Sequence, residues 1–117
     1  MSRIDQPGSS TRRYSRSIAG HNVLFDREHF LWQPDDWNED IAKTLARESG
    51  LNHLGEKHWR VINFLREFYY YNGRAPLNRQ IVKGVGLNLL EIKKLFPGGI
   101  KHGARRIAGL PNPKNCL

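Results

Sequence analysis

A chain of 117 residues can hold one domain with a modest core and is too short for two. Its apolar content is 38 % with no run near the ~20 residues of a spanning helix, which excludes a helical membrane protein, and its single cysteine excludes an internal disulfide. Nineteen Lys and Arg against eleven Asp and Glu leave a formal charge of +8, a balance that favours an acidic partner, nucleic acid being the commonest kind.

Residues 1–20 are rich in Ser, Gly and Arg and lack any apolar period, so they are expected to be a flexible basic tail ahead of a domain spanning 21–109. Met1 to Ser10 has no apolar stretch of the signal-peptide kind, and with one cysteine the expected compartment is the cytoplasm. Val23-Leu24-Phe25 and Phe30-Leu31 flank the polar Asp26-Arg27-Glu28-His29 and predict a short β-hairpin turning there. Pro34-Asp35-Asp36-Trp37-Asn38-Glu39 opens a helix over about 37–48, with Asp36 and Glu39 as a capping box and Gly50 as a left-handed stop. Trp37 is read as core.

From Gly55 a second helix runs to Tyr69-Tyr70-Tyr71 and stops at Asn72-Gly73. Its apolar face (Trp59, Val61, Ile62, Phe64, Leu65, Phe68) is too wide for a surface helix, so it should be central. Two short helices follow, one holding Leu77, Ile81 and Val82, the other Leu89 to Phe96, around the Gly84-Val85-Gly86 break. They predict a corner of helix-turn-helix type. As a DNA reader that corner would offer Asn88 and Glu91 with Lys93 and Lys94 behind, and only Asn88 suits a base edge. Ile100 to Ala108 is expected to be a basic helix ended by Gly109. The fold class is thus mainly α, a small helical array with an N-terminal hairpin and an extended C-terminal arm.

That arm, residues 110–117, has prolines at 111 and 113, which fix φ and remove backbone donors; eight extended residues could reach roughly 25 Å. Cys116 sits near its end. A thiolate is the reactive form of cysteine; Lys114, Arg105 and Arg106 favour it and the neighbouring terminal carboxylate opposes it. Lys101 adds to the same basic region. The five histidines show no i,i+4 pair and no cysteine neighbour, so no metal site is predicted, and Gly84-x-Gly86 lacks a third glycine, so no nucleotide cofactor is predicted either.

Several segments then resemble the DsrC/TusE family of sulfur-carrier proteins. They are Pro34 to Glu39, His58-Trp59-Arg60-Val61-Ile62-Asn63-Phe64-Leu65, Ala75-Pro76 to Lys83, Leu95-Phe96-Pro97-Gly98-Gly99, and Ile107-Ala108-Gly109-Leu110-Pro111 to Cys116-Leu117. The resemblance implies a helical fold with a small β element and a sulfurtransferase-type role. In it Cys116 would take sulfur as a persulfide and pass it on, as in thiolation of the tRNA wobble uridine. Its partners would be sulfur-donor and sulfur-acceptor proteins, or a sulfite-reductase-like complex in the DsrC branch. That branch uses a second cysteine eleven residues earlier, and here the position is Arg105. A shorter Lys83–Leu95 stretch and a longer basic N-terminal tail also depart from the family pattern. The alternatives are a DsrC-like partner subunit or regulator and a helix-turn-helix DNA-binding regulator.

Overall fold

The structure, a computed structural model, describes residues 13–112. Its N-terminal element is an antiparallel hairpin of β1 (Arg13–Ile18) and β2 (His21–Asp26), with Ile18 opposite His21 and Arg13 opposite Asp26. Ala19 and Gly20 both have positive φ, 52° and 82°, the mirror-image turn whose twist matches paired strands. The hairpin therefore lies upstream of the expected position. Residues 13–20, expected as tail, are its first strand and turn, because alternation of Tyr14, Arg16 and Ile18 with polar neighbours suits a half-buried strand. The Asp26–His29 turn also exists. Asp26 Oδ1 accepts from the amides of Glu28 and Phe30, both at 2.9 Å, and the chain folds back so that Leu31 bridges Phe25.

Four α-helices follow: α1 (Glu39–Glu48), α2 (Glu56–Asn72), α3 (Asn78–Val85) and α4 (Leu89–Leu95). The expected capping box of Asp36 and Glu39 does not form. Pro34–Asp36 makes one 3₁₀ turn, and Asn38 caps α1 by accepting from the Ile41 amide at 2.9 Å. Gly50 takes the left-handed conformation expected of it, as do Gly73 after α2 and Gly86 after α3.

As the width of its apolar face predicts, α2 touches α3, α4 and the C-terminal segment. Its His58 ties the array together. Nδ1 accepts from the Gly55 amide at 3.0 Å, so the Nε2–H donates to the last carbonyl of α4, Leu95, at 2.9 Å. Arg60 does the same for α3 through the Val85 carbonyl, at 3.2 Å. The core includes Phe25, Leu31, Ile41, Leu45, Ile62, Leu65, Ile81, Ile92 and Phe96, all fully buried.

α3 lies against α2 at Gly84, where a Cβ would stand 2.2 Å from Phe64 Cε1. Gly84→Val should therefore push the helices apart and cost about 2 kcal/mol, as overpacking does, readable as a lower urea midpoint with unchanged m-value.

The helix-turn-helix-like corner is present, but Asn88 accepts from the Glu91 amide at 2.8 Å as the α4 cap, and Glu91 pairs with Lys57 at 2.8 Å. Neither side chain is presented as a base reader. Among the described residues, no helix is long and apolar enough to cross a membrane.

Candidate functional site at the root of the C-terminal arm

Ile100–Arg105 is not the regular helix expected. It is a wide π-helical turn in which the Ala104 amide reaches back to the Gly99 carbonyl at 3.0 Å. Gly98 and Gly103 let it close, since a Cβ on Gly98 would lie 3.0 Å from the Gly103 nitrogen. Helical geometry resumes for about one turn and ends at Gly109.

The final turn leaves four carbonyls that no further helix can satisfy, and each has a donor, two from the chain's own next amides and two from distant side chains. The Leu110 amide donates to Arg105 and the Gly109 amide to Arg106, both at 3.1 Å. The Trp37 indole N–H donates to the Ile107 carbonyl at 2.9 Å, and Arg66 Nη1 to that of Ala108 at 2.8 Å. Arg66 Nη2 also donates to the Pro34 carbonyl at 3.2 Å, and its guanidinium lies 4.1 Å from the centre of the Trp37 ring. Burial lowers the pKa of Arg66 from its ordinary value, opposed by the nearby charge of Asp35.

Trp37 and Arg66 thus form a clasp from two distant parts of the chain. Gly109, with φ of 75°, is where the clasp closes: a Cβ there would stand 2.2 Å from Trp37 Cδ1. Arg66→Met would leave two carbonyls without their donor and remove the stack on Trp37. It should cost about 2–3 kcal/mol by chemical denaturation, whereas the exposed Arg79→Ala should stay within about 0.5 kcal/mol.

Beyond Gly109 the chain does not leave the body at once. Leu110 and Asn112 are buried, at 1 % and 3 % exposure, so the arm expected from residue 110 is docked at least as far as Asn112. Cys116 and Lys114 lie outside the described residues. Cys116 is four residues past Asn112, so its Cα is at most about 14 Å from that anchor.

Two of the other basic candidates, Arg105 and Arg106, hold the body together. Arg105 donates to the Pro76 carbonyl at 3.0 Å, fixing the loop before α3. Arg106 donates to the His102 carbonyl at 3.0 Å and to Ser49 Oγ at 2.6 Å, tying the segment to the end of α1. Burial lowers its pKa from the ordinary arginine value, and Glu48 opposes that shift. Lys101 is half-buried and makes no hydrogen bond or ion pair with a described residue. The sequence reading missed Trp37 and Arg66 as partners of the arm. No local signal links them to Ile107 and Ala108, from which they are separated by 70 and 42 positions. Among the described residues no cluster of His, Cys, Asp or Glu could hold a metal ion.

These features define a class: a small helical domain that clasps the root of a C-terminal arm and places the sole cysteine of the chain a few residues beyond. The chain belongs to the DsrC-like family, whose pattern ("DsrC like protein") it matches over residues 17–117. It is 35 % identical to the dissimilatory-type sulfite reductase gamma subunit of Nitratidesulfovibrio vulgaris, covering 86 % of this chain and 96 % of that one. It is 37 % identical to the sulfurtransferase TusE of Sodalis glossinidius, covering 84 % and 96 %. Among solved structures, the crystal structure titled dissimilatory sulfite reductase I (DsrI) superposes with a TM-score of 0.83 at 36 % identity, covering 89 % of this chain and all of that one. The oxidised DsrC gamma subunit of Archaeoglobus fulgidus follows at 0.77, also with 36 % identity and the same coverage. The expected family and the mainly helical fold with its two-stranded hairpin are both borne out.

Proposed function

We propose that this protein is a sulfur-relay carrier that accepts sulfur as a persulfide on Cys116 and delivers it to a partner protein. Membership of the DsrC-like family and the likeness to proteins named sulfurtransferase TusE support this reading. The observation that carries it is the arm root: every carbonyl of the last turn is held, the chain is buried through Asn112, and the only thiol follows within about 14 Å. A thiol on so short a lead can enter a partner's cleft only when that partner seats against the body.

In the loading step Cys116, having lost its proton to solvent, attacks the outer sulfur of a donor persulfide, R–S–SH. The new bond is Cys116 Sγ–S. The donor S–S bond breaks, and the donor leaves as a thiolate that takes up a proton. Delivery repeats the step with the acceptor thiolate as nucleophile and Cys116 as leaving group, so no net electrons are exchanged.

A two-cysteine cycle is not open to this chain, because the position eleven residues before Cys116 is Arg105, which is engaged with Pro76. Transfer toward tRNA thiolation is the finer reading we favour over a role beside a sulfite reductase, since the single-cysteine arm can carry sulfur but cannot close a disulfide on itself. Intact-mass spectrometry after incubation with a persulfide donor tests the proposal. The expected gain is one sulfur atom, about 32 Da, reversible by a reducing thiol; no gain at full donor activity would contradict it.

A further inference from the structure

A cleft of about 280 Å³ lies between the end of α1, the following loop and the start of α2. Leu51, Leu54 and the Trp59 indole give it an apolar wall, and Lys43, Arg47 and His53 stand around it. Three observations bear on what these residues could hold.

The first concerns the cations. Lys57 pairs with Glu91, Arg60 with Glu56 and Arg16 with Glu48, yet neither Lys43 nor Arg47 forms an ion pair with a described residue. Arg47 reaches only the neutral Thr44 hydroxyl, at 3.4 Å. Glu48, a carboxylate that feels its charge, is already gripped by Arg16. The second concerns the ring. Arg13 stands 5.2 Å from the Trp32 ring centre and Arg66 4.1 Å from that of Trp37, whereas Trp59 has no cation or aromatic partner among the described residues. The third is size: at about 280 Å³ the cleft is at the lower limit of small-molecule pockets, room for one small unit.

We propose that this cleft binds one nucleotide unit of a single-stranded nucleic acid, its base against Trp59 and its flanking phosphates on Lys43 and Arg47. An indole lining a cleft together with two cations free of ion pairs is the kind of lining that holds single strands without base-edge readout, and the net charge of +8 favours a polyanion. An acidic peptide would use the cations and leave the indole idle. Its described lining residues lie outside the helix-turn-helix-like corner.

The test uses the full chain and a fluorescent octauridylate followed by anisotropy, with uridine monophosphate and an octaglutamate as comparison ligands. Neutralising two phosphates predicts an affinity that falls at least about sevenfold between 50 and 200 mM salt. The exposed double variant K43E/R47E, with its fold checked by circular dichroism, is expected to bind at least tenfold more weakly. Among the three indole N–H signals in an NMR correlation spectrum, that of Trp59 is expected to move and those of Trp32 and Trp37 to stay. Octauridylate binding more tightly than the monophosphate assigns the strand, and equal affinity assigns a free nucleotide to the same cleft. Undiminished binding by the charge-reversed variant, an unmoved Trp59 signal, or octaglutamate binding as tightly as octauridylate would each overturn the proposal.

Discussion

Cys116→Ser is expected to abolish sulfur uptake while leaving stability unchanged within about 0.5 kcal/mol. Serine is nearly the same size, but its hydroxyl stays protonated at neutral pH and does not attack sulfur, so loading has no nucleophile. The chain has no other cysteine to substitute. Stability should be insensitive because the exchange alters one atom of a side chain and leaves the buried residues Leu110 and Asn112 untouched. The mass gain should therefore vanish at every donor concentration while the urea midpoint stays in place. A gain that persists in the serine variant would place the sulfur on another group and end the proposal.

Gly109→Ala should have the opposite profile, with the thiol intact and its mounting damaged. Alanine at a φ of 75° costs about 1–2 kcal/mol from backbone conformation alone. Its Cβ would also lie 2.2 Å from Trp37 Cδ1, so the indole must move. Moving the indole breaks its hydrogen bond to Ile107 and disturbs the ring on which Arg66 rests, and through Arg66 the bond to Ala108. The combined cost should be about 3 kcal/mol or more, roughly a 10–20 °C fall in melting temperature for a domain of this size. Small persulfide donors should still load Cys116, while delivery to a protein partner should slow, because the arm no longer leaves the body along one path. A melting temperature within about 2 °C of the parent would show that the turn tolerates a side chain and that the clasp is not what fixes the arm.

The parts of the fold that were legible in the sequence are those set by local chemistry. Gly50, Gly73 and Gly86 each terminate a helix in the left-handed conformation, and the broad apolar face of α2 does mark the central helix. The hairpin was displaced because Ala19-Gly20 is a weak turn signal beside a Ser- and Arg-rich segment, while Asp26 to His29 is a true turn that reverses the chain after β2. The cap of α1 moved from Asp36 to Asn38 because Pro34 starts a separate 3₁₀ turn, and both residues are good caps by type. The π-helical turn at Ile100–Arg105 depends on Gly98 and Gly103 meeting backbone to backbone, a contact no periodicity reports.

For the candidate site, the distinction is between residue identity and support. Cys116 stands out by being alone on a proline-bearing arm. Trp37 and Arg66 do not, because a tryptophan beside a helix start and an arginine on a helix look like core and surface until the last turn of the chain is laid across them. Arg105 and Arg106 look like free charges near a thiol, but their guanidinium groups bind Pro76, His102 and Ser49 and act as internal struts.

The central claim is that Cys116 carries the sulfur and the folded body chooses where it goes. It is tested most directly by following labelled sulfur from a persulfide-loaded donor enzyme, through this protein, to the thiol of an acceptor protein. Three forms are compared: the whole chain, Cys116→Ser, and a peptide of residues 110–117 alone. Rapid labelling of the acceptor by the whole chain, none by the serine variant, and transfer at least tenfold slower by the peptide is the predicted result. Equal rates for peptide and whole chain would contradict the role assigned to the body, and labelling by the serine variant would contradict the role assigned to Cys116.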